Sequence, residues 1–212
     1  MADPEMMVEG DLASAAVELF LTAAPRSIAL AGGSTPRPFY EELARLDYPW
    51  GEVDVLFGDE RCVPPDHEDS NFRMAHEALL SKVAARVHRM PDTCDPEAYE
   101  ETLREVFGQG VPSLDLAILG IGDDGHTASL FPVDPALEER ERLVVRVDRP
   151  DHPRLTLTLP VLNAARLALF LVEGEGKRDA LRRLMAGEDI PAARVRAERV
   201  VVLADPAAAG RS

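Results

Sequence analysis

Cysteine is scarce in this chain. Only two of its 212 residues are cysteines, Cys62 and Cys94, with no CxxC spacing and no adjacent histidine. That excludes a disulfide-built scaffold, and two reduced thiols are the expected state. Long apolar runs are also missing, so no segment is expected to cross a bilayer. The start, MADPEMMVEGD, lacks the basic head and apolar stretch of a secretory signal, which points to a cytoplasmic protein. Positive charge is in deficit: 23 basic residues against 38 acidic ones leave a formal net charge of -15. That field repels nucleic acid and anionic membranes, so neither is an expected partner. Histidine is limited to five residues. No H-x-x-x-H or Cys/His cluster appears, and no metal is expected. Asp66-His67-Glu68-Asp69 holds ligand-type side chains, but adjacent polar residues in a proline-bounded loop read as solvated. His76, His88 and His152 lie inside or near the ends of elements and receive no role.

What the chain does have is short apolar runs alternating with amphipathic segments. The runs at Ser27–Ala31, Val53–Phe57, Leu114–Ile121, Leu143–Val147, Leu155–Leu159, Leu167–Val172 and Val200–Leu203 read as strands. Helical periods cover Val8–Ala24, Pro36–Leu46, Asn71–Leu80 with Ser70 as N-cap, Asp95–Phe107 with Pro96 just inside its start, and Lys177–Met185. Strands alternating with helices indicate an α/β fold, a mostly parallel sheet in three layers with helices on both faces. The length suits a single domain, residues 1–212.

Ligands of open α/β sheets bind at the carboxyl ends of the strands. Four post-strand segments are rich in glycine and polar groups: Gly32–Pro36, Gly58–Arg61, Gly120–Ser129 and Glu173–Lys177. In the first, Gly33, Ser34 and Thr35 offer backbone and hydroxyl donors to a phosphate, with Arg37 adding charge. The competing reading is an ordinary strand-to-helix turn capped by Thr35. In the second, Asp59 is a candidate to orient a histidine or contact substrate hydroxyls. Arg61 is a candidate for phosphate or a developing oxyanion; an internal salt bridge is the alternative. In the third, Asp123 and Asp124 sit where a dinucleotide pyrophosphate would lie, so G-x-G-x-x-G here is a tight turn that delivers His126, a candidate general base. In the fourth, Lys177 stands at a helix start, where a cation is unfavourable unless an anion binds nearby. It is one of two lysines in the chain, the other being Lys82.

Together these blocks resemble the 6-phosphogluconolactonase family. GGSTP at Gly32–Pro36, DER at Asp59–Arg61 with the following Val63-Pro64 and Ser70-Asn71, and GIGDDGHTASLFP at Gly120–Pro132 carry the resemblance. RLTLTLPVLNAAR at Arg154–Arg166 and the GxGK ending at Lys177 continue it. The related glucosamine-6-phosphate deaminases differ after the histidine, where this chain has Thr127–Pro132 in the lactonase form. The resemblance implies a Rossmann-like fold and hydrolysis of 6-phospho-D-glucono-1,5-lactone in the pentose phosphate pathway, without cofactor or metal. It also implies catalysis by His126, Asp59 and Arg61, with Gly33, Ser34, Thr35, Arg37, Arg154 and Lys177 binding substrate. The expected partner is the phosphorylated sugar lactone, and the chain is expected to act as a monomer. A deaminase/isomerase activity or a non-catalytic sugar-phosphate sensor are the alternatives. The short N-terminal segment leaves no clear strand before the first helix.

Overall fold

Apolar runs become strands here because a covering layer meets both of their faces. The computed structural model describes residues 3–211. In chain order the elements are β1 Glu5–Val8, α1 Leu12–Ala23, β2 Ser27–Leu30, α2 Arg37–Leu43, β3 Asp54–Phe57, β4 Asp59–Arg61, α3 Asn71–Ala75 and β5 Arg86–Val87. There follow α4 Pro96–Phe107, β6 Leu116–Leu119, β7 Val144–Val147, β8 Arg154–Leu157, α5 Leu159–Asn163, β9 Leu167–Val172, α6 Arg178–Met185 and β10 Arg199–Ala204. Seven strands form one sheet in the order β1-β10-β9-β6-β2-β3-β5, and every pairing in it is parallel. β2, β6 and β9 are buried along their whole length. Such strands need helices on both faces, and the α/β class read from the sequence is the one found.

The order of the strands fixes where a ligand can sit. From β2 the chain steps to β3 and β5; it then returns to β6 on the other side of β2 and moves outward to β9 and β10. The direction reverses between β2 and β6, so a crevice opens beyond their carboxyl ends. A second, antiparallel sheet, β4-β8-β7, stands at that same edge. Only Gly58 separates β3 from β4, and its carbonyl accepts the Leu157 amide at 2.8 Å. Side-chain caps start α1, α3 and α4: Asp11 accepts from Ser14 N, Ser70 from Arg73 N and Asp95 from Ala98 N. The buried Tyr40 hydroxyl of α2 donates to the Ala31 carbonyl and accepts its amide, both at 2.9 Å. That pins the start of the glycine loop after β2.

Several expectations need correction. A strand does precede the first helix: β1 pairs with β10, so Val8 belongs to the sheet edge and not to α1. The segment 71–80 is not one regular helix; after Ala75 it continues as a π-type turn, His76–Leu80. Asp59–Arg61 is a strand rather than a loop. Thr35 is not the cap of α2, whose N-cap is Pro36 without a side-chain bond. Cys62 and Cys94 are joined in a disulfide, their Cα atoms 5.2 Å apart and 32 positions apart in sequence. The expectation of two reduced thiols fails because tertiary structure, not local spacing, brings the end of β4 to the segment before α4. Among the described residues no helix is long and apolar enough to cross a membrane.

Candidate active site

The loops after β2, β3, β6 and β9 converge on a cleft of about 310 Å³ at the carboxyl edge of the sheet. That volume suits a small ligand. Gly33, Ser34, Thr35, Asp59, Arg61, His126, Arg154 and Lys177 all line it. Eight of the nine residues expected from the sequence therefore meet in one place. Arg37 does not line this cleft; it pairs with Glu41 at 3.1 Å and Glu77 at 3.6 Å beside a neighbouring groove.

His126 is held by its own loop. Gly122 N donates to the His126 carbonyl at 2.8 Å, and Thr127 Oγ1 donates to the Gly120 carbonyl at 2.9 Å. The His126 amide and Nδ1 both meet Asp124 Oδ1, at 3.0 and 2.6 Å. A carboxylate only accepts, so this contact assigns the proton to Nδ1 and leaves Nε2 with its lone pair. Partial burial pushes the Asp124 carboxyl up. The hydrogen bonds from the His126 amide and ring, with the imidazole's charge, outweigh that and hold it below the usual carboxylate range. The Phe131 ring lies 4.5 Å from the imidazole and carries the Arg149 guanidinium at 4.0 Å.

Of the two roles open to Asp59, the structure does not place it at the histidine, while it does line the cleft. It is buried, and its carboxylate accepts from Ser129 Oγ at 2.5 Å and Asn71 Nδ2 at 3.3 Å. The carboxylate at the histidine is Asp124. Arg61 has no carboxylate partner among the described residues; its Nη1 donates to the Asp69 carbonyl and to Asn71 Oδ1, each at 2.8 Å. Arg61 and Arg154 are register partners on β4 and β8. In both, Nε is buried without an acceptor, although Arg154 also pairs with Asp151 at 2.6 Å. A buried unpaired donor is costly, and here two guanidinium groups with unfilled donor capacity stand on facing strands that line the cleft. Lys177 pairs with Asp123 at 2.5 Å, which ties the loop after β9 to the histidine loop.

Beneath these residues Glu60 organises the backbone. Its carboxylate accepts the amides of Arg61, Asn71 and Phe72 and the Ser70 hydroxyl. Burial pushes this carboxyl up against the pull of those amides, and the net direction is upward. Sequence reasoning missed Asp124, Asn71, Ser129 and Phe131. Asp124 stood in the GDDGH block, two residues from the histidine, but was weighed only against a pyrophosphate. Asn71 belongs to the motifs that carry the resemblance but receives no role from the sequence, because its contacts with Asp59 and Arg61 depend on α3 packing against β4.

Residues 6–203 match the model of the family described as glucosamine-6-phosphate isomerases/6-phosphogluconolactonase. A 6-phosphogluconolactonase of Synechocystis sp. is 47% identical over 176 residues, covering 78% of this chain and 73% of the relative. The Homo sapiens 6-phosphogluconolactonase is 40% identical over 189 residues, covering 80% and 73%. The crystal structure of 6-phosphogluconolactonase from Thermotoga maritima aligns with a TM-score of 0.85 at 33% identity, over 96% of this chain and 99% of that one.

Proposed function

The chain belongs to the glucosamine-6-phosphate isomerase/6-phosphogluconolactonase family, and we propose that it hydrolyses 6-phospho-D-glucono-1,5-lactone to 6-phospho-D-gluconate with His126 as general base. The observation that carries the assignment of roles is the His126–Asp124 pair facing the same cleft as two arginines with unpaired buried Nε atoms. One part can activate water, and the other can hold an anion.

A lactone is an electrophilic cyclic ester, so the site must deliver water and stabilise an oxyanion. His126 Nε2 takes a proton as water adds to the carbonyl carbon, and Asp124 stabilises the imidazolium that forms. The tetrahedral intermediate collapses by breaking the bond to the ring oxygen. His126 then returns the proton to that oxygen, leaving the carboxylic acid and the free hydroxyl. Arg61 and Arg154 receive the phosphate, with the Gly33–Thr35 loop as a further wall of donors. Fixing the phosphate holds the ring in one pose. Asp59, held by Ser129 and Asn71, presents acceptor capacity to sugar hydroxyls. Lys177 braces the histidine loop through Asp123 and lends positive charge to the developing oxyanion. In this reading the chain acts as a monomer and a single domain, in the cytoplasm.

The test is lactone hydrolysis with freshly generated substrate, corrected for the spontaneous rate. Wild-type protein is expected to accelerate ring opening, and His126→Ala to lose on the order of 10²–10⁴-fold in kcat with an unchanged melting temperature. An unaltered kcat in folded His126→Ala would remove the base assignment. Ammonia release from glucosamine 6-phosphate without lactone turnover would replace the reaction itself.

A further inference from the structure

A second constellation lies outside the catalytic cleft. His67, Asp69 and His152 each offer one potential ligand atom, and these atoms all lie within 4.8 Å of one another. Asp69 Oδ2 stands 3.0 Å from His152 Nε2 and 3.8 Å from His67 Nδ1. The imidazoles meet edge to face, 78° apart with centroids at 5.3 Å, so they do not stack. We propose that His67, Asp69 and His152 form a binding site for a divalent transition-metal cation of the zinc class.

Geometry and chemistry both favour this. An ion about 2.0–2.2 Å from each donor in a tetrahedral site separates its ligand atoms by roughly 3.3 Å; Asp69 already stands 3.0 and 3.8 Å from the two imidazole nitrogens, and no pair exceeds 4.8 Å. Two imidazole nitrogens and one carboxylate oxygen select zinc-like ions over magnesium or calcium, which take oxygen ligands. His67 Nδ1 accepts the Asp69 amide at 3.1 Å, and His152 Nε2 donates to Asp69 Oδ2 at 3.0 Å; a bound ion would take the place of both bonds and release the His152 proton. Among the described residues no lysine or arginine pairs with the Asp69 carboxylate; its charged contacts are the two histidines. The comparable His88–Asp54 pair is different, because Arg86 occupies that carboxylate. A chain with a net charge of -15 also draws cations.

The ligands come from two segments that frame the cleft. His67 and Asp69 belong to the turn before α3, and the Asp69 carbonyl holds Arg61. His152 lies two residues before Arg154, and the Pro153 carbonyl accepts the Cys62 amide at 2.9 Å. A bound ion would clamp the turn to the start of β8. His152 and Asp69 are 83 positions apart, so the sequence offered only the 66–69 half of this cluster, which by itself reads as a solvated loop.

The experiment is titration of the untagged full chain, disulfide intact, with Co²⁺ as a spectroscopic probe and Zn²⁺ as competitor. One equivalent of Co²⁺ is expected to give visible absorption that Zn²⁺ removes and Mg²⁺ does not. His152→Ala and the near-isosteric Asp69→Asn are expected to weaken Co²⁺ binding at least about tenfold and to abolish the rise in melting temperature that Zn²⁺ gives wild type. His126→Ala is expected to bind as wild type does, which separates this site from the cleft. Undiminished binding in folded His152→Ala and Asp69→Asn, loss of binding in His126→Ala, or no binding by wild type at millimolar metal would each overturn the proposal.

Discussion

A Cβ on Gly122 would overlap the His126 imidazole, so the ring occupies space that only glycine leaves free. Gly122→Ala is therefore expected to displace the histidine and lower kcat by at least about tenfold. Overpacking should add a stability loss of roughly 1–3 kcal/mol. Steady-state kinetics beside a urea titration separates the two effects, and unchanged kcat would mean that the ring does not need its present position. Asp124→Asn tests the partner of the same ring. An amide no longer holds the proton on Nδ1 or stabilises an imidazolium, so a kcat loss between about 10- and 10³-fold is expected, with KM nearly constant. A change confined to KM would make Asp124 a binding residue. At this scale the placement of His126, Arg61 and Lys177 at the carboxyl edge of the sheet was legible, because each follows a buried strand and a glycine. The sequence did not disclose which carboxylate reaches the imidazole. Asp59 and Asp124 were both near a sheet edge, and only Ser129 and Asn71 closing on Asp59 decides between them.

At the scale of elements, apolar run length was the strongest guide. LALFLV is a strand over Leu167–Val172, as read, because six buried residues in a row fit a central parallel strand. The antiparallel sheet was not legible. β4 and β8 lie over 90 residues apart, and β4 is three charged residues whose strand conformation comes from pairing with Arg154–Thr156. The edge strand β5 escaped notice for a similar reason. It has two exposed residues, Arg86 and Val87, held against β3. Arg86 and the neighbouring His88 close on Asp54 at 2.7 and 2.8 Å. The Arg86 hydrogen bonds hold the Asp54 carboxyl below its ordinary value of 3.8; burial opposes this and His88 reinforces it. A depressed carboxyl stabilises the fold above its unfolded value and loses that contribution as pH falls through the folded value. Asp54→Asn should thus cost about 1 kcal/mol at pH 6–7, with the gap from wild type narrowing as the pH falls below 3.8. Urea midpoints across that range measure it; a gap independent of pH would show that the ion pairs carry no linkage.

The α/β class was legible over the whole chain because alternating strand and helix patterns admit few other packings. The charge balance likewise argued against polyanionic partners, and it sharpens the need for the local cations Arg61 and Arg154. The disulfide is the global feature that the sequence hid. Cys62 follows Arg61 at the end of β4, and Cys94 precedes the cap of α4, so the bridge joins the second sheet to a helix layer. Closing a loop of this size removes freedom from the unfolded chain, a stabilisation of about 2–4 kcal/mol. A reducing compartment would open it, so the cytoplasmic reading and the bridge make different demands on stability. Thiol titration of the native, oxidised protein is expected to find no reactive cysteine, and reduction should lower the melting temperature by several degrees. The double variant Cys62→Ser, Cys94→Ala should reproduce the reduced value and become insensitive to reductant. Two reactive thiols in the oxidised protein, or a melting temperature indifferent to reduction, would mean that β4 and the approach to α4 hold together through the Glu60 network and core packing without the bond.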